Sequence, residues 1–442
     1  MKVLTSVLCV ALAFTLPLSA QGKVWVVDAL NLAGADFTDI QPAVDAAADG
    51  DVILVRGRLG EVYGGAVISG RTLTIAGDID TSTPFPVQIN PVTGPIWVQS
   101  LLPGQRLTLR GLAIRDANPL APAFQSNLTV TSCIGSVYVE EVSMTRGVAT
   151  ALGGAPTPPA LLVTNTSDMT VVHGAGFGSR GTQGAIGGQA GLIFSSSVIL
   201  HHVQLQGGSG SPVSGPQPGI IVQAQPGGEG LRIVGADVLS IGSTIRGGDG
   251  GRGVEDAAMN CYPSADGGTG AHVTFSAVNS ASLTELDSSV QGGPGGGAPG
   301  VNCPAGAPGD DLFLAGTHTV LPATAPEFIT NSPVRETEDL TLLFRSTPGD
   351  FAFLSVGLLS SPAFDPVSFD GLLHILPPVI FRFMGTVPAS GDFFRQFTIN
   401  ELGLGVEAIN VDLQGIFFTP ATTGLRLTAA NPSSVLMLDE SF

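Results

Sequence analysis

Residues 36–78 read DFTDIQPAVDAAADGDVILVRGRLGEVYGGAVISGRTLTIAGD, and this stretch predicts one short helix followed by the first strands of a larger sheet. Asp39 is a typical N-cap residue, and Pro42 falls early in the helix, where a missing N–H is tolerated. The apolar residues of the helix lie on one face: Ile40, Val44 and Ala47. The runs DVILVRG and RTLTIAGD that follow are typical of buried strands. We therefore expect a helix that covers the open end of a stack of strands.

From residue 51 to about 320 the sequence is a series of short apolar runs that end in Gly, Asn or Asp. The runs are rich in Val, Ile, Leu and Thr, as in RLTLRGLAIRD, SVYVEEVSM and SVILHHVQLQGG, which indicates β-strands. Helices that alternate with strands would favour a doubly wound sheet, and the sequence shows no such alternation. The pattern predicts an all-β chain.

An internal repeat lies within this series. Three segments share the plan of a Gly-rich turn, a strand, a turn, a second strand and a closing Gly-Gly: 188–208, 227–248 and 267–293. Their period near 40 residues is typical of stacked repeats, in which each coil buries its apolar face against its neighbours. We expect two coils of about 20 residues in each period. A propeller blade has a similar period but leaves less room for the Gly/Pro/Ser-rich stretches 150–160, 207–219 and 292–309, which we interpret as long loops on one face.

After about residue 320 the sequence becomes rich in Phe, and Gly-rich turns become fewer. Strand-like runs such as TLLFRST, FAFLSVGLL and FRQFTIN recur with Pro and Gly between them. This punctuation at regular spacing predicts a small antiparallel β-sandwich over residues 336–442.

The charge of the chain excludes two classes of function. The 442 residues include 36 acidic and 18 basic residues, a formal net charge of −18, and no basic run occurs. Binding to nucleic acids and attraction to anionic membranes both depend on basic patches. We therefore expect neither nucleic-acid binding nor membrane attachment as the main function.

The first 20 residues, MKVLTSVLCVALAFTLPLSA, have the features of a secretory signal peptide: a positive start at Lys2, an apolar core and small residues at Ser19-Ala20. No later run reaches the roughly 18 apolar residues of a membrane span. The sequence therefore predicts export to the cell surface, the periplasm or the medium. Export permits disulfides, and Cys261 and Cys303 lie in Gly-rich loops one repeat apart, which predicts a bridge between them. Cys133 is predicted to be a buried free thiol.

The sequence offers few groups for catalysis, and we assign no catalytic residue. The spacings H-x-x-H and C-x-x-C do not occur, which argues against a zinc site. Glu140-Glu141 and His201-His202 each fall within a strand, which predicts that the two side chains of each pair point to opposite faces. Four carboxylates around Cys261 are candidate Ca²⁺ ligands: Asp249, Glu255, Asp256 and Asp266. We expect no other cofactor, and Tyr262 is the candidate for an exposed ligand-binding aromatic.

Residues 24–115, above all DFTDIQPAVDAAADGDVILVRGRLGEVYGGAVISGRTLTIAGD, resemble the opening of the right-handed parallel β-helix of the pectin-lyase-like superfamily. In that family such a line supplies the capping helix and the first two coils. The tail resembles the β-rich C-terminal module of exported bacterial proteins of unknown function. The resemblance implies a parallel β-helix over residues 21–325 and leaves the activity open, because the superfamily contains lyases, hydrolases, tailspikes and adhesins.

Three functions follow from these observations. The first is an exported, non-enzymatic protein with a structural, adhesive or surface-binding role. The second is a polysaccharide lyase or glycoside hydrolase that acts on acidic polysaccharide, for which folding would have to place several carboxylates and an Arg on one exposed sheet face. The third is a module that binds extracellular carbohydrate or a surface protein.

Overall fold

The computed structural model of the chain describes residues 22–442 apart from 58–61, 79–86, 90–94, 116–124, 150–156, 183, 218–219, 257–259, 302, 323, 358, 364–368, 371, 376–379 and 422–423. The predicted signal peptide, residues 1–20, lies outside the described residues. The described part is nearly all β, and its one helix, α1 (Ile40–Ala46), is too short to span a membrane.

Three parallel sheets make up residues 24–321, which we call the stack. The front sheet has ten strands: β1 (Val24–Val27), β2 (Val52–Arg56), β4 (Leu73–Asp78), β7 (Arg106–Arg110), β10 (Ser136–Glu140), β14 (Met169–Val172), β18 (Ser197–His201), β23 (Asp237–Ile241), β28 (Ser282–Leu286) and β31 (Thr317–Leu321). The side sheet has seven: β5 (Val87–Ile89), β8 (Leu112–Arg115), β11 (Ser143–Thr145), β15 (Ala175–Phe177), β19 (Gln204–Gln206), β24 (Thr244–Arg246) and β29 (Ser289–Gln291). The back sheet has eight: β3 (Val67–Ser69), β6 (Ile96–Gln99), β9 (Leu128–Thr131), β13 (Leu161–Thr164), β17 (Gly191–Phe194), β22 (Leu231–Val234), β27 (Ala271–Thr274) and β30 (Leu312–Leu314).

From β3 onward the chain visits the back, front and side sheets in rotation, and each complete round adds one strand to each sheet. This topology is consistent with a parallel β-helix. The inward side chains form continuous apolar rows, such as Ile75, Leu109, Val139, Val171 and Leu200 in the front sheet, and these rows build one core.

The prediction of two coils in each 40-residue period is wrong. Gly191, Leu231 and Ala271 are direct strand partners, so residues 40 positions apart belong to neighbouring coils, and each period is a single coil. The coils before it are shorter, because Leu161 pairs with Gly191 only 30 residues later. The sequence showed two strands in each period, whereas a coil also contains a third strand and a glycine-rich excursion.

Two columns of left-handed residues turn the chain between sheets. In most coils, the bend from the back to the front sheet and the bend from the front to the side sheet each place one residue at a φ between 47° and 65°. The first column contains Gly70, Ser100, Ser132, Asn165, Ser195 and Gly235, and the second contains Gly111, Glu141, His173, His202, Gly242 and Asp287. Only Gly adopts this conformation without steric cost, so stacking of the coils must stabilise it at the other positions.

The helix α1 closes the first coil, as the sequence predicts. The carboxylate of Asp39 accepts a hydrogen bond from the N–H of Ile40, which makes Asp39 the N-cap. Ile40, Ala43 and Val44 are buried against the core of the stack. The apolar ends of the first strands are thereby removed from water.

The Gly-rich stretches 207–219 and 292–309, predicted to be long loops on one face, pack most of their described residues into one hydrogen-bonded body. Residues 150–156 of the third stretch lie outside the described residues. Extended segments leave the side sheet and return to the back sheet, and they lie side by side. We call these segments the glycine bundle: 187–190, 206–213, 225–230, 246–253, 263–270, 291–297 and 304–311. One ladder of backbone bonds, each 2.8 Å long, joins outgoing and returning segments in turn through Ser179, Gly188, Gly208, Gly228, Gly248, Gly268, Gly293 and Gly309. A side chain at these ladder glycines after Gly188 would overlap a carbonyl of a neighbouring segment, so the contact requires Gly.

Three short strand pairs flank the glycine bundle: β12 (Val148–Ala149) with β16 (Arg180–Gly181), β20 (Ser214–Gln217) with β21 (Ile220–Val222), and β25 (Val254–Glu255) with β26 (Cys261–Tyr262). A disulfide joins Cys261 to Cys303, 42 residues later and with a Cα–Cα distance of 5.3 Å, at the outer tip of the bundle. Cys133 is buried and free, and burial raises the pKa of its thiol. The cysteines therefore adopt the states that the sequence indicates.

Residues 327–442 form the C-terminal region, which is a separate and mainly antiparallel set of sheets. Its three-stranded sheet contains β32 (Glu327–Thr330), β34 (Asp339–Arg345) and β40 (Asp392–Thr398). Its larger sheet contains β33 (Val334–Arg335), β35 (Phe351–Gly357), β37 (Phe369–Asp370), β39 (Ile380–Thr386), β41 (Ala408–Ala421) and β42 (Gly424–Leu438), and β36 (Leu359–Ala363) pairs with β38 (Leu373–Ile375). A second core, which includes Phe328, Phe344 and Phe417, holds the two sheets together.

We expect Gly228→Ala to destabilise the stack by about 1–3 kcal/mol, because the new Cβ would overlap the carbonyl oxygen of Gly188. Gly297→Ala is the matched control, since a Cβ there meets no atom of the described residues within 4 Å. Denaturant unfolding of both variants measures the difference. Equal stability of the two variants would contradict the close packing of the bundle.

Candidate functional site

The outer face of the front sheet gathers the charged groups that the sequence scatters. Neighbouring strands place Arg110 beside Glu140 in direct register. Arg106, four residues before Arg110, lies on the same face of the sheet as Tyr138 and Arg110. These are the kinds of side chains that an enzyme of acidic polysaccharides would need on an exposed face. Here, however, they face the C-terminal region.

An ion pair between Arg110 and Glu140 lies at the centre of this contact. Arg110 Nη1 is 2.8 Å from Glu140 Oε2, and each side chain is 2% exposed. The guanidinium also donates to the carbonyl oxygens of Thr330 and Ser434 and to Ser433 Oγ, over 2.8–3.0 Å. Glu140 accepts bonds from Ser433 Oγ and from the N–H of Ser434. The C-terminal region therefore supplies the partners without which both charges would be buried at a high cost.

A second contact lies beside the first. Arg106 binds Asp412 through two bonds of 2.6 and 3.0 Å, and its Nη2 also donates to Ser434 Oγ. The hydroxyl of Tyr138 donates to the carbonyl oxygen of Pro432 over 2.9 Å, and burial raises the pKa of Tyr138 well above its ordinary value. We call this set the polar seam: Arg106, Arg110, Tyr138 and Glu140 of the front sheet, with Thr330, Asp412, Pro432, Ser433 and Ser434 of the C-terminal region.

Glu141 does not behave as the sequence predicts. Glu140 and Glu141 were expected to point to opposite faces, but the strand ends at Glu140, and Glu141 has a φ of 54°. The left-handed bend turns its carboxylate back, so that Oε2 lies 3.5 Å from Arg110 Nε. Both carboxylates therefore approach one guanidinium, and Glu141 is the partly exposed member of the group.

The histidines show the same correction, because His201 ends its strand and His202 is left-handed. His201 is fully buried, and its Nε2 lies 3.1 Å from Nε2 of His374 in the C-terminal region. His202 instead stacks on His173, with ring centroids 5.6 Å apart and ring planes 28° apart. His173 Nε2 is 3.1 Å from Glu327 Oε1, and His202 Nε2 is 3.3 Å from the carbonyl oxygen of Pro326. The column of left-handed residues thus binds the segment that enters the C-terminal region.

The candidate Ca²⁺ ligands are engaged in local hydrogen bonds. Asp249 accepts from Arg246, Asp256 accepts from the backbone and side chain of Asn260, and Asp266 accepts from the N–H of Ala307. Glu255 lies in β25, next to Gly300. Among the described residues the structure brings together no group of three or more His, Cys, Asp or Glu side chains that could hold a metal ion. Calcium binding here stays an untested expectation.

Tyr262 lies half-buried in β26, where it pairs with Val254 beside the disulfide. It is therefore at the tip of the glycine bundle, and its role as a ligand-binding aromatic stays a prediction.

An open groove of about 210 Å³ lies on the front sheet next to Leu372 of the C-terminal region. Its walls combine a small apolar surface with hydroxyl groups and a carboxylate: Ser197, Ile199, Asp237, Leu239, Ser282 and Thr284. Asp237 is the one carboxylate among these lining residues, and it accepts a hydrogen bond of 2.5 Å from Ser282 Oγ. The lining therefore lacks the carboxylate pair that glycoside hydrolysis generally uses.

Sequence reasoning missed the polar seam. The alternation in RLTLR and SVYVE places Arg106, Arg110, Tyr138 and Glu140 on one face, and four polar or amphipathic groups on one face were the available signal. Their burial depends on Asp412, Ser433 and Ser434, about 300 residues away, which no local pattern connects to them.

The comparisons with known proteins add no assignment. No protein-family model matches the chain, and no curated protein is detectably similar to it.

We expect Glu140→Gln to destabilise the folded chain by about 3–5 kcal/mol, because it removes the buried counter-ion of Arg110 and leaves only the partly exposed Glu141, 3.5 Å from Arg110 Nε. Asp392→Asn is the matched control, because Asp392 pairs with Arg345 at the surface, where such pairs contribute less than about 1 kcal/mol. Urea unfolding measures both changes. The polar seam would be wrongly described if the two variants lost the same stability.

We expect acid to destabilise the contact between the stack and the C-terminal region. Burial lowers the pKa of His201 well below its ordinary value and that of His374 to about 3. Once released from the contact, these rings bind protons below pH 6.5 or so, whereas the folded state excludes them. Their contribution to stability is therefore complete above about pH 6.5 and is lost as the pH falls towards 3.

The melting temperature at pH 7.5 and at pH 5 tests this. We expect a clear fall for the native chain and a smaller fall for the double variant His201→Leu/His374→Leu, which removes both ionisable rings. Equal pH dependence of the two proteins would show that this histidine pair does not limit stability in acid.

Proposed function

We propose that this chain is an exported, non-enzymatic protein with a structural, adhesive or surface-binding role. In this proposal the stack is a right-handed parallel β-helix of the pectin-lyase-like kind with α1 as its cap, and the C-terminal region is a small β-sandwich docked on its front sheet. The long parallel sheets, the single helix and the rotation through three sheets support the β-helix.

The observation that carries the proposal is the burial of the polar seam. Arg110 and Glu140, the ion pair at its centre, are each 2% exposed at the side chain. Their hydrogen bonds are directed to the C-terminal region, and they therefore cannot contact a polymer from solution. A general acid or base must reach the proton that it transfers. These groups stabilise the contact between the stack and the C-terminal region.

The glycine bundle is the part that we propose presents a surface. Its backbone ladder and the Cys261–Cys303 bridge make it rigid, so that a binding partner does not need to order it. In the run GGDGGRG (247–253), glycines pack inside while Asp249 and Arg252 reach the outside. A pattern in which every third residue faces outward can present a regular row of side chains on a stiff support.

The test is a turnover and binding screen with the mature chain, using neutral and acidic polysaccharides with and without Ca²⁺. We expect no new oligosaccharides by mass spectrometry, and retention of the chain on at least one insoluble polysaccharide or bacterial surface. Reduction of the disulfide is the matched control, because it loosens the tip and should weaken retention.

Oligosaccharides that appear with Ca²⁺ and disappear on chelation would contradict the proposal. They would instead favour a calcium-dependent lyase acting through carboxylates near Asp256. Absence of both turnover and retention would leave a purely structural role for the stack.

A further inference from the structure

The two ends of the stack differ. At the first end α1 covers the core with Ile40, Ala43 and Val44. At the other end the last strands of the three sheets are β29, β30 and β31, and no helix or further strand of the described residues covers them. We call these three strands the open end. The outer edge of a terminal strand presents unpaired N–H and C=O groups, which other strands can bind.

Side chains at the open end are much more exposed than their neighbours one coil earlier. Phe313 and Leu314 in β30 are each 48% exposed, and Val320 in β31 is 65% exposed. Leu283 and Leu286 in the preceding front strand are 0% and 1% exposed. The coil that would bury the last strands in the same way is missing from the described residues. Apolar residues on an unpaired edge are a surface suited to pairing with another chain.

The inward row of the front sheet becomes polar at this end. Leu200 is followed by Ser240 and then by Glu285, whose carboxylate lies 2.6 Å from His318 Nε2 in the last strand. Glu285 is only 7% exposed at its side chain, so a carboxylate lies just beneath the last coil. A polypeptide stacked on this coil would therefore meet a negatively charged group as well as apolar side chains.

Charge indicates which polypeptide fits. Residues 253–334 contain no Lys or Arg and eight carboxylates: Glu255, Asp256, Asp266, Glu285, Asp287, Asp310, Asp311 and Glu327. Asp310 and Asp311 directly precede β30 and are exposed. Two copies that met through this end would bring like charges together, which opposes their association. A basic partner would gain from the same charges.

We infer that the open end binds a basic polypeptide strand from a partner protein, which adds to β31 or β30 as the next strand of the sheet. The backbone groups of the terminal strand would supply hydrogen bonds, as in other cases of strand addition. Lysine or arginine side chains would be attracted by Glu285, Asp310 and Asp311, and apolar side chains would cover Phe313, Leu314 and Val320. The binding site lies at the opposite end of the stack from α1 and does not depend on the role proposed for the glycine bundle.

The probe is a fluorescent peptide of sequence KVKVTVKVK, titrated with the full mature chain at low and high salt. The control peptide KPKPTPKPK has the same charge but cannot form a strand, since proline lacks the N–H. We expect binding of the first peptide that weakens with salt, with at least about tenfold weaker binding of the second. Hydrogen exchange should show protection of the Thr317–Leu321 amides when the first peptide is bound.

Two matched variants locate the site. Val320→Lys places a like charge at the open end and should weaken binding of the first peptide about tenfold. Val67→Lys changes an exposed valine of β3, near α1, by the same chemistry, and binding should be unchanged. Melting curves establish that both variants are folded.

Equal binding of the two peptides would overturn the inference, because it would show attraction to charge without strand addition. Equal affinity of the two lysine variants would overturn the location. If the chain alone forms dimers that Val320→Lys abolishes, the open end binds a second copy, and the basic partner is wrong.

Discussion

The buried ion pair of Arg110 and Glu140 is the interaction on which the arrangement of this protein depends. Neither charge could be buried alone at a tolerable cost, and neither is satisfied by the stack alone. Ser433, Ser434 and Thr330 complete their hydrogen bonds, so the C-terminal region must lie on the front sheet for the pair to be stable. The same requirement fixes the position of the neighbouring bonds from Arg106 and Tyr138.

The path of the chain follows from this position. After β31 the chain must return along the stack to reach Arg110, and it does so beside the column of left-handed residues. Asp287, His202 and His173 bind Ala325, Pro326 and Glu327 in succession. The left-handed residues that turn the chain in these coils therefore also bind the segment that connects β31 to the C-terminal region. The return path leaves the last coil uncovered, and the C-terminal region and the open end are thus two consequences of one chain path.

The sequence predicts local features of this fold well. Asp39, the apolar runs and the two loop cysteines give the helix, the strands and the disulfide, because each depends on neighbouring residues or on the repeat itself. The predicted length of a coil is wrong, because a three-residue strand such as β19 is too short to show an alternating pattern. The sequence predicts loops where the structure has the glycine bundle, because the hydrogen bond between Gly208 and Gly228 leaves no signal in the sequence other than glycine itself.

The candidate site could be predicted least. The left-handed bends at Glu141 and His202 depend on stacking between coils, and no local preference indicates a positive φ for these residues. The polar seam joins residues about 300 positions apart. A charged residue in a strand is predicted to be exposed unless its distant partner is known. Candidates chosen from the sequence, such as Asp256 and Tyr262, instead lie in the hairpin at the tip of the bundle.

Covering of the front sheet is the central claim, and hydroxyl-radical footprinting of the native chain at neutral pH tests it most directly. Tyr138 is 3% exposed beneath the C-terminal region, whereas Tyr262 is half-buried at the tip of the bundle. We predict oxidation of Tyr262 with little or no oxidation of Tyr138. Oxidation of Tyr138 at a rate similar to that of Tyr262, in a chain that is still folded, would show that the front sheet opens to solvent and would contradict the account.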